Sequence, residues 1–176
     1  MTIKYNNVYI NDTVTITGPY EGKGPLRKYF DKIYDDLYFD AKTWEQAEIK
    51  LINESIDITK SKGKLKDVDI LVGGDLLNQI VASNYAASKI DTSFIGVYAA
   101  CATSTLGLIL SANFIENKLA KNVITFASSH NNGAEKQYRY PVEYGGPKAK
   151  ATTFTTTGAA SALLSREKKG IRIESG

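Results

Sequence analysis

The stretch Ser93-Phe-Ile-Gly-Val-Tyr-Ala-Ala-Cys-Ala-Thr-Ser-Thr-Leu-Gly-Leu-Ile-Leu110 decides how this chain folds. Its first part is an apolar, β-favouring run, its middle a turn of small residues around Cys101, and its apolar positions after that extend too far for a strand. A strand running into a buried helix through a tight turn places Cys101 at the positive end of that helix. Unpaired backbone N–H groups and the helix dipole there favour a thiolate or a bound anion, which is one way to build an activated nucleophile or an anion pocket. A lone free cysteine is also a common small core residue, and at this point both readings stand.

The neighbouring segments supply the pattern around this junction. Val8 to Thr17 is rich in β-branched residues and ends at Gly18-Pro19, so it reads as strand followed by loop, and the aromatic-rich Leu26 to Phe39 is expected to be helical. Thr43 with Gln46 forms a capping-box pattern. It opens a helix whose inward stripe is Trp44, Ala47, Leu51, Ile52, Ser55 and Ile56, and which should stop near Gly63. Asp69 to Gly74 reads as a buried strand, Leu76 to Ile90 as a helix with Leu77, Ile80, Val81 and Tyr85 inward, and Phe94 to Tyr98 as the next strand. The Cys101 helix runs to about Leu119 and is apolar almost all round, through Leu106, Leu110, Phe114 and Ile115, so it expects cover on several sides. Asn122 to Ala127 is a further buried strand leading into Ser128-Ser129-His130. From there to Thr157 no period is visible, a length that marks a functional loop or hidden short elements, and Gly158 to Leu164 is a last strand.

Strands alternating with helices in this order make an α/β sheet whose parallel strands are buried on both faces. Ligands in such sheets bind beyond the carboxyl ends of the strands, where Gly73-Gly74-Asp75, Ala99-Ala100-Cys101 and Ser128-Ser129-His130 converge. Asp75 would repel an anion, so it reads as an acceptor for a neighbouring loop or helix. The 176 residues suit one domain, and the single cysteine and single histidine provide neither an internal disulfide nor a cysteine or histidine-pair metal site. No metal or cofactor is expected. The net charge of +3 is small and its carriers scattered, with short clusters at Lys60 to Lys66 and Arg166 to Lys169, so no nucleic-acid partner is expected. No apolar run reaches the ~20 residues of a membrane span. The N-terminus also lacks a secretion signal, so synthesis as a soluble protein in a reducing compartment is expected, with membrane attachment through partner proteins left open.

At Gly73-Gly-Asp-Leu-Leu-Asn-Gln79, the alanine-rich Cys101 turn, Ser128-Ser-His130 and Ala134-Glu-Lys-Gln-Tyr-Arg-Tyr-Pro-Val-Glu-Tyr-Gly-Gly146, the chain resembles the thiolase-like superfamily. More narrowly, it is similar to the stage V sporulation protein AD family of spore-forming bacteria. Gly24-Pro-Leu26 and the Trp44 helix extend the likeness over nearly the whole length. The resemblance implies an α/β, thiolase-like N-terminal half: a mixed, mostly parallel five-stranded sheet in the order βαβαβαββ with helices on both faces. Residues 1–176 would form this first half-domain, the second half lying outside the chain. It also implies a homodimer through antiparallel pairing of the Phe94–Tyr98 strand.

Enzymes of the superfamily take an acyl group onto the cysteine, with acid, base and oxyanion groups from the second half. His130 is not where those relatives place their catalytic histidine. The expectation is therefore a non-enzymatic protein with no catalytic residue, Cys101 becoming the nucleophile only under the alternative of an acyl-transferring, condensing or thiolase-type enzyme. The narrower family implies binding of dipicolinic acid, uptake of dipicolinate into the developing spore, partnership with other SpoVA proteins, and a peripheral place at the forespore or spore inner membrane. A flat aromatic dicarboxylate wants helix-start N–H groups, hydroxyl donors, a cation and an apolar wall. Cys101, Thr103, Ser128, Ser129, His130 and Arg139 are the candidate ligand-binding residues. His130 and Arg139 equally suit structural or surface roles, and Tyr138, Tyr140 and Tyr144 suit either a pocket wall or packing of their own loop.

Overall fold

A computed structural model describes residues 2–138 and 153–176. Strands β1 (Tyr9–Thr17), β3 (Ile70–Asp75), β4 (Ser93–Gly96), β5 (Asn122–Ser129) and β6 (Gly158–Ser165) carry the sheet, and the two-residue strands β2 (Lys32–Ile33) and β7 (Ile171–Arg172) border β1. The order is β2-β1-β6-β5-β3-β4 with β7 also on β1. β3 lies parallel to both β4 and β5, while β6 runs antiparallel to β5 and β1. Sequence and structure thus agree on a mixed, mostly parallel sheet with five principal strands.

Helices cover both faces: α1 (Trp44–Lys62) and α2 (Val81–Ala87) on one, α3 (Thr103–Glu116) on the other. The period-two alternation of a doubly buried strand shows in neighbouring residues. Leu71 and Ile124 pack with Ile52 and Ile56 of α1, whereas Val72 and Val123 pack with Ala112 and Ile115 of α3. Each fully buried Leu or Ile contributes about 1.5–3 kcal/mol by leaving water, so the two layers hold the sheet between them. On α1, Thr43 Oγ1 accepts the Gln46 N–H at 3.2 Å, and Ala47, Leu51, Ile52, Ser55 and Ile56 are buried as their spacing requires. Gly107 lets α3 lie against β5, because a Cβ there would overlap Thr125 Oγ1. Leu106, Leu108, Leu110 and Phe114 of α3 are only half-buried, so among the described residues the cover expected on several sides is incomplete.

Two segments depart from the sequence expectation. Residues 26–39 hold a 3₁₀ turn at Arg27–Tyr29, the short β2 and an Asx-type turn in which Asp36 Oδ1 accepts the N–H groups of Tyr38 and Phe39. That turn drops Phe39 into the core between Tyr34 and His130, a tertiary gain that outweighs a helix made of aromatics. The expected helix from Leu76 begins only at Val81, after left-handed backbone at Gln79 and Ile80. Its buried side is Ala82, Ser83, Ala86 and Ala87, and Tyr85, expected inward, is 61% exposed. The aperiodic stretch after His130 contains helix α4 (Asn131–Tyr138). Arg139, Tyr140 and Tyr144 lie outside the described residues.

Candidate functional site

The carboxyl ends of β3 and β5 and the start of α3 open onto a cavity of about 580 Å³. Its lining includes Cys101, Thr103, Ser128 and Ser129, so four of the expected site residues do come together. Phe30 and Phe154 provide aromatic surface, Ile16, Leu76 and Ala127 aliphatic surface, and the remaining polar lining is mostly threonine hydroxyl. Among the described lining residues there is no lysine, arginine or histidine.

Cys101 is exposed and stands on a sharp turn. β4 ends, Ala99 adopts φ −142° and ψ 28°, and Ala100 takes a left-handed φ of 46°, which an alanine adopts only when the surrounding structure compels it. Close packing of β3 and β4 supplies that compulsion, since Gly74 lies so near Val97 that a Cβ would overlap its carbonyl oxygen. The turn uses up donors expected to face a ligand. Ala102 N–H donates to the Ala99 carbonyl at 2.9 Å, Thr103 N–H donates to the Ala100 carbonyl, and Thr103 Oγ1 accepts the Ala99 N–H at 3.1 Å. The helix start is therefore a weaker source of free N–H groups than its sequence suggested.

The two serines are tied from behind. Ser129 Oγ donates to the Thr156 carbonyl at 2.6 Å. Ser128 Oγ lies 2.8 Å from Glu48 Oε1 and donates to it when that carboxyl is ionised. Glu48 sits on the apolar stripe of α1, fully buried, and its Oε2 has no hydrogen-bond partner among the described residues. Burial first, then the neighbouring Asp75, push its pKa up to about 8. Asp75 is also buried, and it serves as the acceptor its sequence position indicated. Its Oδ1 accepts Leu77 N–H at 2.9 Å, and its Oδ2 accepts Ser83 N–H at 2.7 Å and the Ser83 hydroxyl at 2.6 Å. Burial still raises its pKa overall, against the lowering by these bonds.

His130 is placed elsewhere. It follows β5, is fully buried, and packs edge-on against Phe39 with ring centroids 5.9 Å apart. Gly133 N–H points to Nδ1 at 3.5 Å, so Nε2 carries the proton and donates to the Leu37 carbonyl at 2.8 Å. Burial lowers its pKa against the pull of that bond, so the ring is neutral and structural. It does not line the cavity. Arg139, the expected counter-charge, lies outside the described residues.

One wall was not foreseen from the sequence. Residues 153–156 line the cavity, and residues 155–157 are pinned by side chains from α4 and from the turn at residues 21–23. Glu135 Oε1 accepts the Thr155 N–H at 3.3 Å and its hydroxyl at 3.1 Å, and Asn131 Nδ2 donates to the Thr155 carbonyl at 2.8 Å. Glu21 Oε1 accepts the Thr157 N–H at 2.9 Å. No motif announces these contacts. Glu48 did carry a signal, an acid four residues from Trp44 and from Ile52 on an otherwise apolar helical face.

The geometry can be set beside known proteins. Among solved structures, a variant of OleA from Xanthomonas campestris superposes with a TM-score of 0.62 at 14% identity, covering 93% of this chain and 57% of that one. The 3-oxoacyl-(acyl carrier protein) synthase III FabH of Xanthomonas oryzae pv. oryzae gives a TM-score of 0.59 at 15% identity, covering 93% of this chain and 57% of that one. At such identities the likeness establishes the thiolase-like fold alone. Stage V sporulation protein AD of Bacillus subtilis (strain 168) is 38% identical over 170 residues, 96% of this chain and 50% of that protein. The chain thus spans about half the length of that curated relative. The model of the family described as Stage V sporulation protein AD (SpoVAD) matches residues 1–176, and the chain belongs to that family of sporulation proteins.

Proposed function

We propose that the cavity beside Cys101 binds dipicolinate and that the whole protein acts without chemistry, as the ligand-handling subunit of a SpoVA assembly that moves dipicolinate into the developing spore. One observation carries this reading. The cavity combines aromatic surface at Phe30 and Phe154 with a rim of hydroxyls, while the chain's one histidine is buried behind it and committed to a backbone carbonyl. Aromatic and hydroxyl surface suits a planar ring bearing carboxylates better than it suits the proton transfers of acyl exchange. Arg139 is the counter-charge proposed for one carboxylate. Isothermal titration of the full-length protein with dipicolinate tests the reading. Saturable heat is expected, and heat indistinguishable from a blank at millimolar ligand would refute it.

An exposed Cys101 on a strained Ala100 turn favours the second reading, an acyl-transferring enzyme. Incubating the full-length protein with acyl-thioesters and weighing the Cys101 peptide separates the two, because a binder forms no adduct. β4 ends the order of strands among the described residues, which supports a homodimer made by antiparallel pairing of this edge in two copies. No described helix is long and apolar enough to cross a membrane. A peripheral place at the spore inner membrane would then be held by SpoVA partners.

A further inference from the structure

Glu48 is 0% exposed on the inward face of α1, bonded through Oε1 to Ser128 and without a partner at Oε2 among the described residues. The charged groups facing it are both acids, Asp75 at the end of β3 and Glu45 on its own helix. β5, β6 and α2, packed against α1, contain no lysine, arginine or histidine. On α4, Lys136 reaches out to Glu45 at 3.9 Å, while β1 contributes Tyr9 and Asp12 near its start and His130 is neutral. A carboxylate so placed would be a buried charge beside two others of the same sign, with no cation among the described residues to offset it. The group therefore holds its proton at neutral pH.

The location of that proton follows from the orphaned oxygen. A proton on Oε2 would be a buried donor with no acceptor. On Oε1 it donates to Ser128 Oγ and leaves only a carbonyl oxygen unpaired, the less costly orphan. Ser128 then accepts from Glu48, and its own O–H is released towards the cavity it lines. We propose that Glu48 is a positioning residue that, in its neutral form, turns the Ser128 hydroxyl outward as a donor to a carboxylate-bearing ligand and, when ionised, takes that hydrogen bond back. The proposal rests on the reading of the cavity as a carboxylate site. The pKa of about 8 agrees with it, and a bound carboxylate would raise that value further, so binding above this pH should draw one proton from solvent.

Titration of the full-length protein with dipicolinate, in two buffers of different ionisation enthalpy, counts that proton. Uptake approaching one proton per ligand is expected at about pH 9 and almost none at about pH 6, with affinity falling roughly tenfold from the lower pH to the higher. Glu48→Gln should bind with no proton uptake and a flat pH profile, and Ser128→Ala should bind more weakly with an equally flat one. Binding without proton linkage in the unaltered protein, or linkage that survives in Glu48→Gln, overturns the role of Glu48 and leaves the carboxylate site standing. Absence of heat at every pH refutes the site itself. Infrared spectra of the ligand-free protein then decide the protonation state: a protonated-carboxyl band present at neutral pH and missing from Glu48→Gln is expected, and its absence from the unaltered protein overturns the proposal.

Discussion

Asp75→Ala should be among the most damaging single changes near the cavity. The carboxylate accepts three hydrogen bonds, from Leu77 N–H, Ser83 N–H and the Ser83 hydroxyl, all within 2.6–2.9 Å. Leu77 and Ser83 are themselves fully buried, so removing the acceptor strands two backbone amides away from water. An unsatisfied buried donor costs about 1–3 kcal/mol, giving about 2–6 kcal/mol for the pair. Burial that raises the Asp75 pKa shows that the carboxylate also carries a desolvation cost, which the alanine relieves. The lower part of that range, about 2–4 kcal/mol, is therefore expected. Asp75→Asn keeps the shape and one acceptor oxygen and should cost about half as much. The bonds also hold the left-handed turn at Gln79 and Ile80, so the alanine variant should show earlier amide exchange from Leu77 to Ser83. Urea denaturation of the full-length protein and its two variants measures the order. An alanine variant within about 0.5 kcal/mol of the unaltered protein would refute the claim that these bonds organise the segment.

Three further outcomes follow from the packing and the buried acids. Gly107→Ala on an exposed helix would stabilise by up to about 1 kcal/mol, but here its Cβ meets Thr125 Oγ1, so a lower melting temperature is expected, and a higher one would contradict the α3–β5 contact. Glu48 has its folded pKa raised from 4.5 to about 8, so its contribution to stability is full below about pH 4.5 and is lost as pH rises through about 8. The loss is on the order of 5 kcal/mol, and Glu48→Gln should flatten the stability profile across that window in chemical denaturation at several pH values. His130, with its pKa lowered by burial, contributes stability that is lost as pH falls below the ordinary histidine range. Its ring resonances should titrate below the ordinary histidine range, and His130→Ala should lower the melting temperature while leaving the binding proposed for the cavity unchanged.

How much of this was visible in the linear chain depends on the range of the interactions involved. The α1 stripe and its Thr43 cap were legible because both are set within one or two helical turns. The strands β3, β5 and β6 were legible because burial on both faces writes a continuous apolar run. The segment from Leu26 to Phe39 was misread because its conformation is decided by the burial of one residue, Phe39, against partners far along the chain. Tyr85 was misread because its helix starts five residues later than expected, and a shift of that size turns the inward face away.

The site divides in the same way. The sequence by itself determined that three strand ends would meet near Cys101, since sheet topology brings the carboxyl ends of parallel strands together whatever their side chains are. Only the tertiary structure decided which groups face the cavity and in what state. His130 looked like a pocket residue from its neighbours in sequence, yet the Leu37 carbonyl and the Phe39 ring hold it in the core. Glu48 looked like an ordinary acid on a helix, yet burial beside Asp75 makes it a proton-holding group behind Ser128. Local spacing sets where a side chain starts, but its charge and hydrogen bonds depend on neighbours that the fold alone brings within reach.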